Sequence, residues 1–403
     1  MSSFDPLDFA FRAGQELYKA GLLSLINGRR QSRGRPPVAW PQVAATPADV
    51  LWQEGNARLI RYRRDDVARS KTPLLLVCSL INRPYILDLL TERSVVRRLL
   101  ERGHDVWLLD WGTPSAADAS RSLADYALEQ LPRAAAVVTE RAGTDRLHVL
   151  GYCMGGTFSL MAIAAGRLPA ASLVSMATPV AFHDDGLLSL WCRAPGFDPA
   201  ELAQAYGNVP PHVLQPAFKL LDPAGLAAKF VHLDTKIEDD DFLRFFLAME
   251  TWLEDSVAFP GRAFTDWIQL YRTDALARGE LVLDGMSIDL GRVRCPIFNV
   301  IADTDYITPA ASSLALETLT STASQKTVRV PGGHIGLSTG RGAHERLWPA
   351  VSDWLREHDA PAQQPVARND ANAQKAAKMP APKMPAAARK VARPQPRNKK
   401  RKR

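Results

Sequence analysis

The 403 residues suffice for one large α/β domain with an insertion or for two smaller domains, and the 46% hydrophobic content is ordinary for a chain with a sizeable core. The net charge of +7 averages two unlike parts: thirteen Lys/Arg against one Asp give the segment 360–403 a charge of +12, so the remainder carries −5. Four scattered cysteines without a C-x-x-C pair argue against a zinc site or a disulfide framework. With no signal-peptide pattern and no apolar run of membrane-spanning length, a cytoplasmic protein is expected.

In chain order, an amphipathic helix is predicted from about Pro6 to Asn27, with Phe9, Leu17, Tyr18, Leu22 and Leu25 on its apolar side. A basic, breaker-rich linker from Gly28 to Pro37 completes an N-terminal segment of residues 1–40. Packing on the body, lying on a hydrophobic surface and meeting a partner are the three fates open to that helix. From Ala57 to about Val180 strands alternate with helices: Arg58–Tyr62, Pro73–Cys78, Val106–Trp111, Leu147–Leu150 and Ser172–Ala177 read as strands. Ser94–Arg102 and Leu123–Arg141 read as helices between them. Such alternation predicts a mainly parallel sheet covered on both faces. The rhythm breaks over 182–289, which reads as a helical cap or lid, and resumes at Pro296–Ala302, Lys326–Val330 and the closing helix Leu347–His358. The core is therefore expected to comprise 41–181 and 290–359. Beyond it, 360–403 is Ala, Pro, Lys and Arg with almost no apolar bulk, and is expected to be a disordered basic tail. Nucleic acid or another polyanion is its functional partner on this reading; a solubilising extension is the plainer one.

The chemistry centres on Leu147-His148-Val149-Leu150-Gly151-Tyr152-Cys153-Met154-Gly155-Gly156, an apolar strand entering a glycine-flanked turn, followed by a buried helix. This is the G-x-S-x-G nucleophile elbow with sulfur in place of oxygen, and it points to an α/β-hydrolase fold. A cysteine nucleophile needs a base and a group to orient the base. In this fold the acid follows a late strand and the histidine follows the last one. His334 sits between glycines after Lys326–Val330 and is the candidate base. Asp303 and Asp305 both follow Pro296–Ala302. Asp305 is favoured as the acid, whereas Asp303 better suits the capping of the next helix. The oxyanion hole is expected from the backbone N–H of Met154 and of Ile81 in the loop after Pro73–Cys78; Pro84 has no N–H to give.

These residues carry a wider resemblance. Ile81 to Leu89, Leu109-Asp110-Trp111-Gly112, Gly151 to Thr157, Phe259 to Trp267 with Tyr271, Asp305-Tyr306-Ile307-Thr308-Pro309 and Gly333 to Gly336 occur in that order. Together they resemble the poly(3-hydroxyalkanoate) synthases, in particular the catalytic subunit of the short two-subunit (class III-like) type. The resemblance implies that Cys153 carries the acyl group, that His334 is its base, and that Asp305 helps to activate the substrate's 3-hydroxyl. It implies an (R)-3-hydroxyacyl-coenzyme A substrate, a polyester product and no separate cofactor, since coenzyme A enters with the substrate and leaves. The implied partners are an accessory synthase subunit, a second copy in a homodimer and the surface of a polyester granule. The histidine usual after the aspartate is here Tyr306, which leaves the triad intact and changes its surroundings. A cysteine-dependent thioesterase on the same scaffold would use the same three residues and is the competing function.

Overall fold

The structure is a computed structural model that describes residues 6–64 and 70–359. The basic tail read from the sequence lies outside the described residues.

Helix α1 (Pro6–Ser32) precedes an eight-stranded sheet. Its strands are β1 (Ala48–Glu54), β2 (Ala57–Tyr62), β3 (Leu74–Val77), β4 (Val106–Asp110), β5 (Leu147–Tyr152), β6 (Ala170–Met176), β7 (Ile297–Ala302) and β8 (Gln325–Val330). The spatial order is β1-β2-β4-β3-β5-β6-β7-β8. β2 runs antiparallel to β1 and β4, and all other pairings are parallel. Strands β3, β4, β5 and β7 are buried along their whole length, as continuous apolar runs in the middle of a two-sided sheet require. The first hairpin strand, β1, was not anticipated. Asp49, Gln53 and Glu54 dilute its apolar residues, as befits a sheet edge with one wet side.

Helices α2 (Val95–Glu101), α3 (Leu131–Ala142) and α4 (Met154–Ala164) connect the central strands. The segment between β6 and β7 carries α5 (Leu187–Cys192), α6 (Pro199–Tyr206), α7 (Pro211–Lys219), α8 (Pro223–Thr235), α9 (Asp240–Glu254) and α10 (Gly261–Thr273). A small hairpin, Leu281–Leu283 with Met286–Ile288, follows. Then come α11 (Ala310–Leu314), α12 (Leu316–Leu319), α13 (Gly336–Thr339) and α14 (Trp348–Glu357). Edge-to-face aromatic contacts run from Trp111 to Phe158, Trp267, Phe182 and Tyr271, so α10 is fastened to α4 and the sheet rather than standing free.

The first helix runs past its expected end at Asn27, through Gly28, to Ser32. Tertiary contact overrides the glycine. The buried Arg30 donates to the carbonyls of Pro36 (2.7 Å) and Ile237 (2.9 Å) and pairs with Asp240 at 2.7 Å. Of the three fates, packing holds for one face: Leu22 and Ile26 are buried against Leu233, Ile237, Leu243 and Phe246 of the inserted helices. Tyr18 donates to Glu250 at 2.5 Å, and Lys229 meets the same carboxylate at 2.6 Å. The other face keeps Phe9, Leu17 and Leu25 exposed.

Candidate active site

Strand β5 ends at Tyr152 and α4 begins at Met154, so Cys153 alone must turn the chain. It does so at φ 55° and ψ −126°, a conformation that costs a residue with a side chain on the order of 1–3 kcal/mol. The surroundings hold it there: its N–H donates to the Met176 carbonyl at 2.9 Å and its carbonyl accepts the Gly156 N–H at 2.9 Å. The turn tolerates no bulk. A Cβ at Gly155 would stand 2.1 Å from the Val77 carbonyl oxygen, and one at Gly156 would stand 1.9 Å from Thr178 Oγ1. Close packing therefore sets the first turn of α4 against the chain leaving β3.

Asp305 and His334 come from the ends of β7 and β8. Their separation is 2.7 Å between Asp305 Oδ2 and His334 Nδ1. Asp305 Oδ1 accepts the N–H groups of Ile307 (2.9 Å) and Thr308 (2.8 Å), so both carboxylate oxygens are engaged and the side chain has no exposed surface. The Cys153 sulfur also lies close enough to the imidazole to act on it electrostatically. Burial alone would lower the imidazole's pKa. The Asp305 carboxylate and the Cys153 sulfur beside it outweigh burial and push it up to about 10. The structure thus brings Cys153, His334 and Asp305 to one place, with the imidazole hydrogen-bonded to the carboxylate and the sulfur beside it.

Tyr152 was read only as part of a strand, yet it braces the base. Its ring stacks on the imidazole, 5.1 Å between centroids and 23° between planes, and its hydroxyl donates to the His334 carbonyl at 3.0 Å. Burial and the neighbouring Cys153 and Asp305 hold that hydroxyl far above the usual tyrosine range, so it stays a donor. Its place immediately before the nucleophile was the available signal. Asp303 does not cap the next helix as expected: it bonds Arg329 at 2.7 Å, and Asp305 itself takes the turn's N–H groups. Tyr306 is 54% exposed.

Met154 opens α4, where a backbone N–H has no acceptor within the helix. Across from it, the Ile81 N–H has only a long contact, 3.5 Å, to Ser79 Oγ, and that hydroxyl reaches Met154 Sδ at 3.1 Å. The Ile81–Arg83 loop is tied to the end of α9 and the residues after it. Val257 N–H donates to the Ile81 carbonyl at 3.3 Å, Trp252 Nε1 to the Arg83 carbonyl at 2.8 Å, and Arg83 pairs with Asp255 at 2.9 Å. Among the described residues, no group of three or more His, Cys, Asp and Glu side chains is arranged to hold a metal. No described helix is long and apolar enough to cross a membrane.

Residues 83–340 match the family described as alpha/beta hydrolase fold, and residues 39–99 match the N-terminus of poly-beta-hydroxybutyrate polymerase (PhaC). A relative from Allochromatium vinosum, the poly(3-hydroxyalkanoate) polymerase subunit PhaC, is 35% identical over 356 residues, which are 87% of this chain and 96% of that protein. The chain belongs to the poly(3-hydroxyalkanoate) polymerase family. The member of the same name from Haloferax mediterranei is 38% identical over 318 residues, 78% of this chain; the match spans only 65% of that longer protein. Among solved structures, a soluble variant of monoglyceride lipase from Saccharomyces cerevisiae shares the fold, with a TM-score of 0.50 at 13% identity, over 79% of this chain and 98% of the lipase. The polymerase family therefore uses the α/β-hydrolase architecture here with cysteine at the elbow.

Proposed function

We propose that this chain is the catalytic subunit of a polyester synthase. It transfers (R)-3-hydroxyacyl groups from coenzyme A to a growing poly(3-hydroxyalkanoate), with the acyl group carried on Cys153 as a thioester. One observation carries the reading: a strained cysteine beside an imidazole that is itself fixed on a buried carboxylate.

Cys153 Sγ attacks the thioester carbonyl, and the oxyanion that forms is met by the N–H groups of Met154 and Ile81. The coenzyme A sulfur leaves with the proton held on His334. The hydroxyl of a second hydroxyacyl unit then attacks the Cys153 thioester, gives its proton to His334, forms the ester and releases the cysteine sulfur. Exchange between two sulfurs is nearly isoenergetic, whereas a serine ester would be a deeper well for the second step to leave. With both Asp305 oxygens engaged, the proton path runs through the imidazole, and the carboxylate orients it. Segment 182–289 acts as the cap that keeps water from competing with the alcohol. An accessory subunit, a second copy of the chain, the granule surface, and a polyanion on the basic tail complete the proposal as partners.

The test supplies (R)-3-hydroxybutyryl-coenzyme A and follows both coenzyme A and polymer. Chloroform-soluble polyester rising with coenzyme A release is the expected result. Free hydroxyacid without polymer would make this a thioesterase. Cys153→Ala is expected to lower release by about 10⁴-fold or more; undiminished release would overturn the cysteine mechanism.

A further inference from the structure

A cleft of about 640 Å³ opens between the residues around the start of α2, the first turns of α9, and the chain after α13. Arg93, Arg98, Arg244 and Arg341 line it, together with Glu92, Asp241, Glu345, Phe245 and His344. Some of this charge is settled locally. Arg98 meets Glu101 at 3.3 Å, Arg244 meets Glu92 at 3.6 Å, and Glu345 leans towards Arg346 at 3.9 Å. Arg93 and Arg341 have no ion-pair partner among the described residues. Arg93 is also held still: it donates to the Thr339 carbonyl at 2.7 Å and lies over the Phe245 ring at 4.6 Å. Burial and the charge of Arg341 both lower its pKa, and the smaller opposing effects of Glu92 and Asp241 do not reverse the direction. A fixed guanidinium with a second, exposed one near enough to repel it favours an anion.

His344 adds an observation independent of charge. It is 6% exposed and donates Nε2 to the Ser338 carbonyl at 2.8 Å, which leaves Nδ1 buried without a partner. Burial, Arg98 and Arg93 hold its pKa down at about 4, so the ring is neutral and Nδ1 is an acceptor that needs a donor. A phosphate beside a hydroxyl satisfies the whole set, and a phosphorylated ribose carries that pair.

We infer that this cleft is the subsite for the phosphorylated ribose at the nucleotide end of the coenzyme A thioester, with Arg93 and Arg341 on the phosphate and His344 Nδ1 accepting the adjacent hydroxyl. The inference rests on the acyl-coenzyme A reading above. The place in the chain suits it: Arg341 follows His334 by seven residues, with the short helix α13 between them, so one stretch of chain carries both the base and a wall of the cleft.

Calorimetric titration of the full chain with 3′-phosphoadenosine 5′-diphosphate, beside inorganic pyrophosphate, tests it. The nucleotide is expected to bind more tightly than pyrophosphate. The exposed Arg341→Ala should weaken the nucleotide about tenfold, and Asp241→Asn, which removes an opposing charge, should tighten it. Equal affinity for pyrophosphate, or binding indifferent to Arg341→Ala, overturns the assignment. In turnover, Arg341→Ala should raise KM for the acyl-coenzyme A about tenfold relative to KM for the acyl-N-acetylcysteamine thioester, which lacks the nucleotide; an unchanged ratio also overturns it. A wild type that binds the nucleotide as expected yet turns over neither thioester would count against the synthase reading alone.

Discussion

The corner around Cys153 and the inserted helices are built by different means. At the corner, strands buried along their whole length deliver Cys153, Asp305 and His334 to one edge, and short hydrogen bonds and glycine-tight packing fix them. In the outer part of the insert, α5, the end of α7 and α8 leave Leu190, Leu220, Phe230 and Val231 uncovered, whereas α9 is held by apolar packing and by long-range clamps such as Tyr18–Glu250 and Arg30–Asp240. Chemistry is thus placed on the part whose geometry the sheet dictates, and adaptability on the part whose contacts are sparse.

Substitutions at the corner should have large effects and those at its margins small ones. His334→Gln is expected to cut coenzyme A release by about 10⁴-fold. It also tests the electrostatics. Folding raises the imidazole's pKa from 6.5 to about 10, so the stability it adds is whole below pH 6.5 and is lost as pH rises through about 10. Chemical denaturation of wild type and variant should show a gap that closes across that window, by an amount on the order of a few kcal/mol; a gap that widens would reverse the charge assignment. Gly155→Ala forces a methyl onto the Val77 carbonyl and should cost about 3 kcal/mol, read as a lower denaturation midpoint. Tyr18→Phe removes one clamp and should cost about 1 kcal/mol, with faster hydrogen exchange confined to α1 and its contacts. Tyr306→His, at an exposed position, should move stability by less than about 0.5 kcal/mol. A larger change in release rate there would show that the corner extends further than its hydrogen bonds do.

What was legible in the sequence follows the same division. The elbow could be read because its determinants are local: glycines two residues either side of Cys153 and an apolar strand before it. His334 and Asp305 followed from strand order. Asp305 was favoured over Asp303 from its place alone, but the pairing of Asp303 with Arg329 of the neighbouring strand, in place of the helix cap expected, was not legible. The extension of α1 through Gly28 was hidden because Arg30 finds its partners at Ile237 and Asp240. The arginine cleft was equally hidden, being assembled from residues near 93, 244 and 341 that only the fold unites.

The loop from Ile81 to Arg83 has one foot in each region. Its Ile81 N–H is the proposed second oxyanion donor, while Val257, Trp252 and Asp255 hold the same stretch from the end of α9. Any displacement of that end of α9 must drag this stretch of backbone along or snap its moorings. Whatever presses on the outer helices thereby acquires leverage over turnover without ever touching the sulfur.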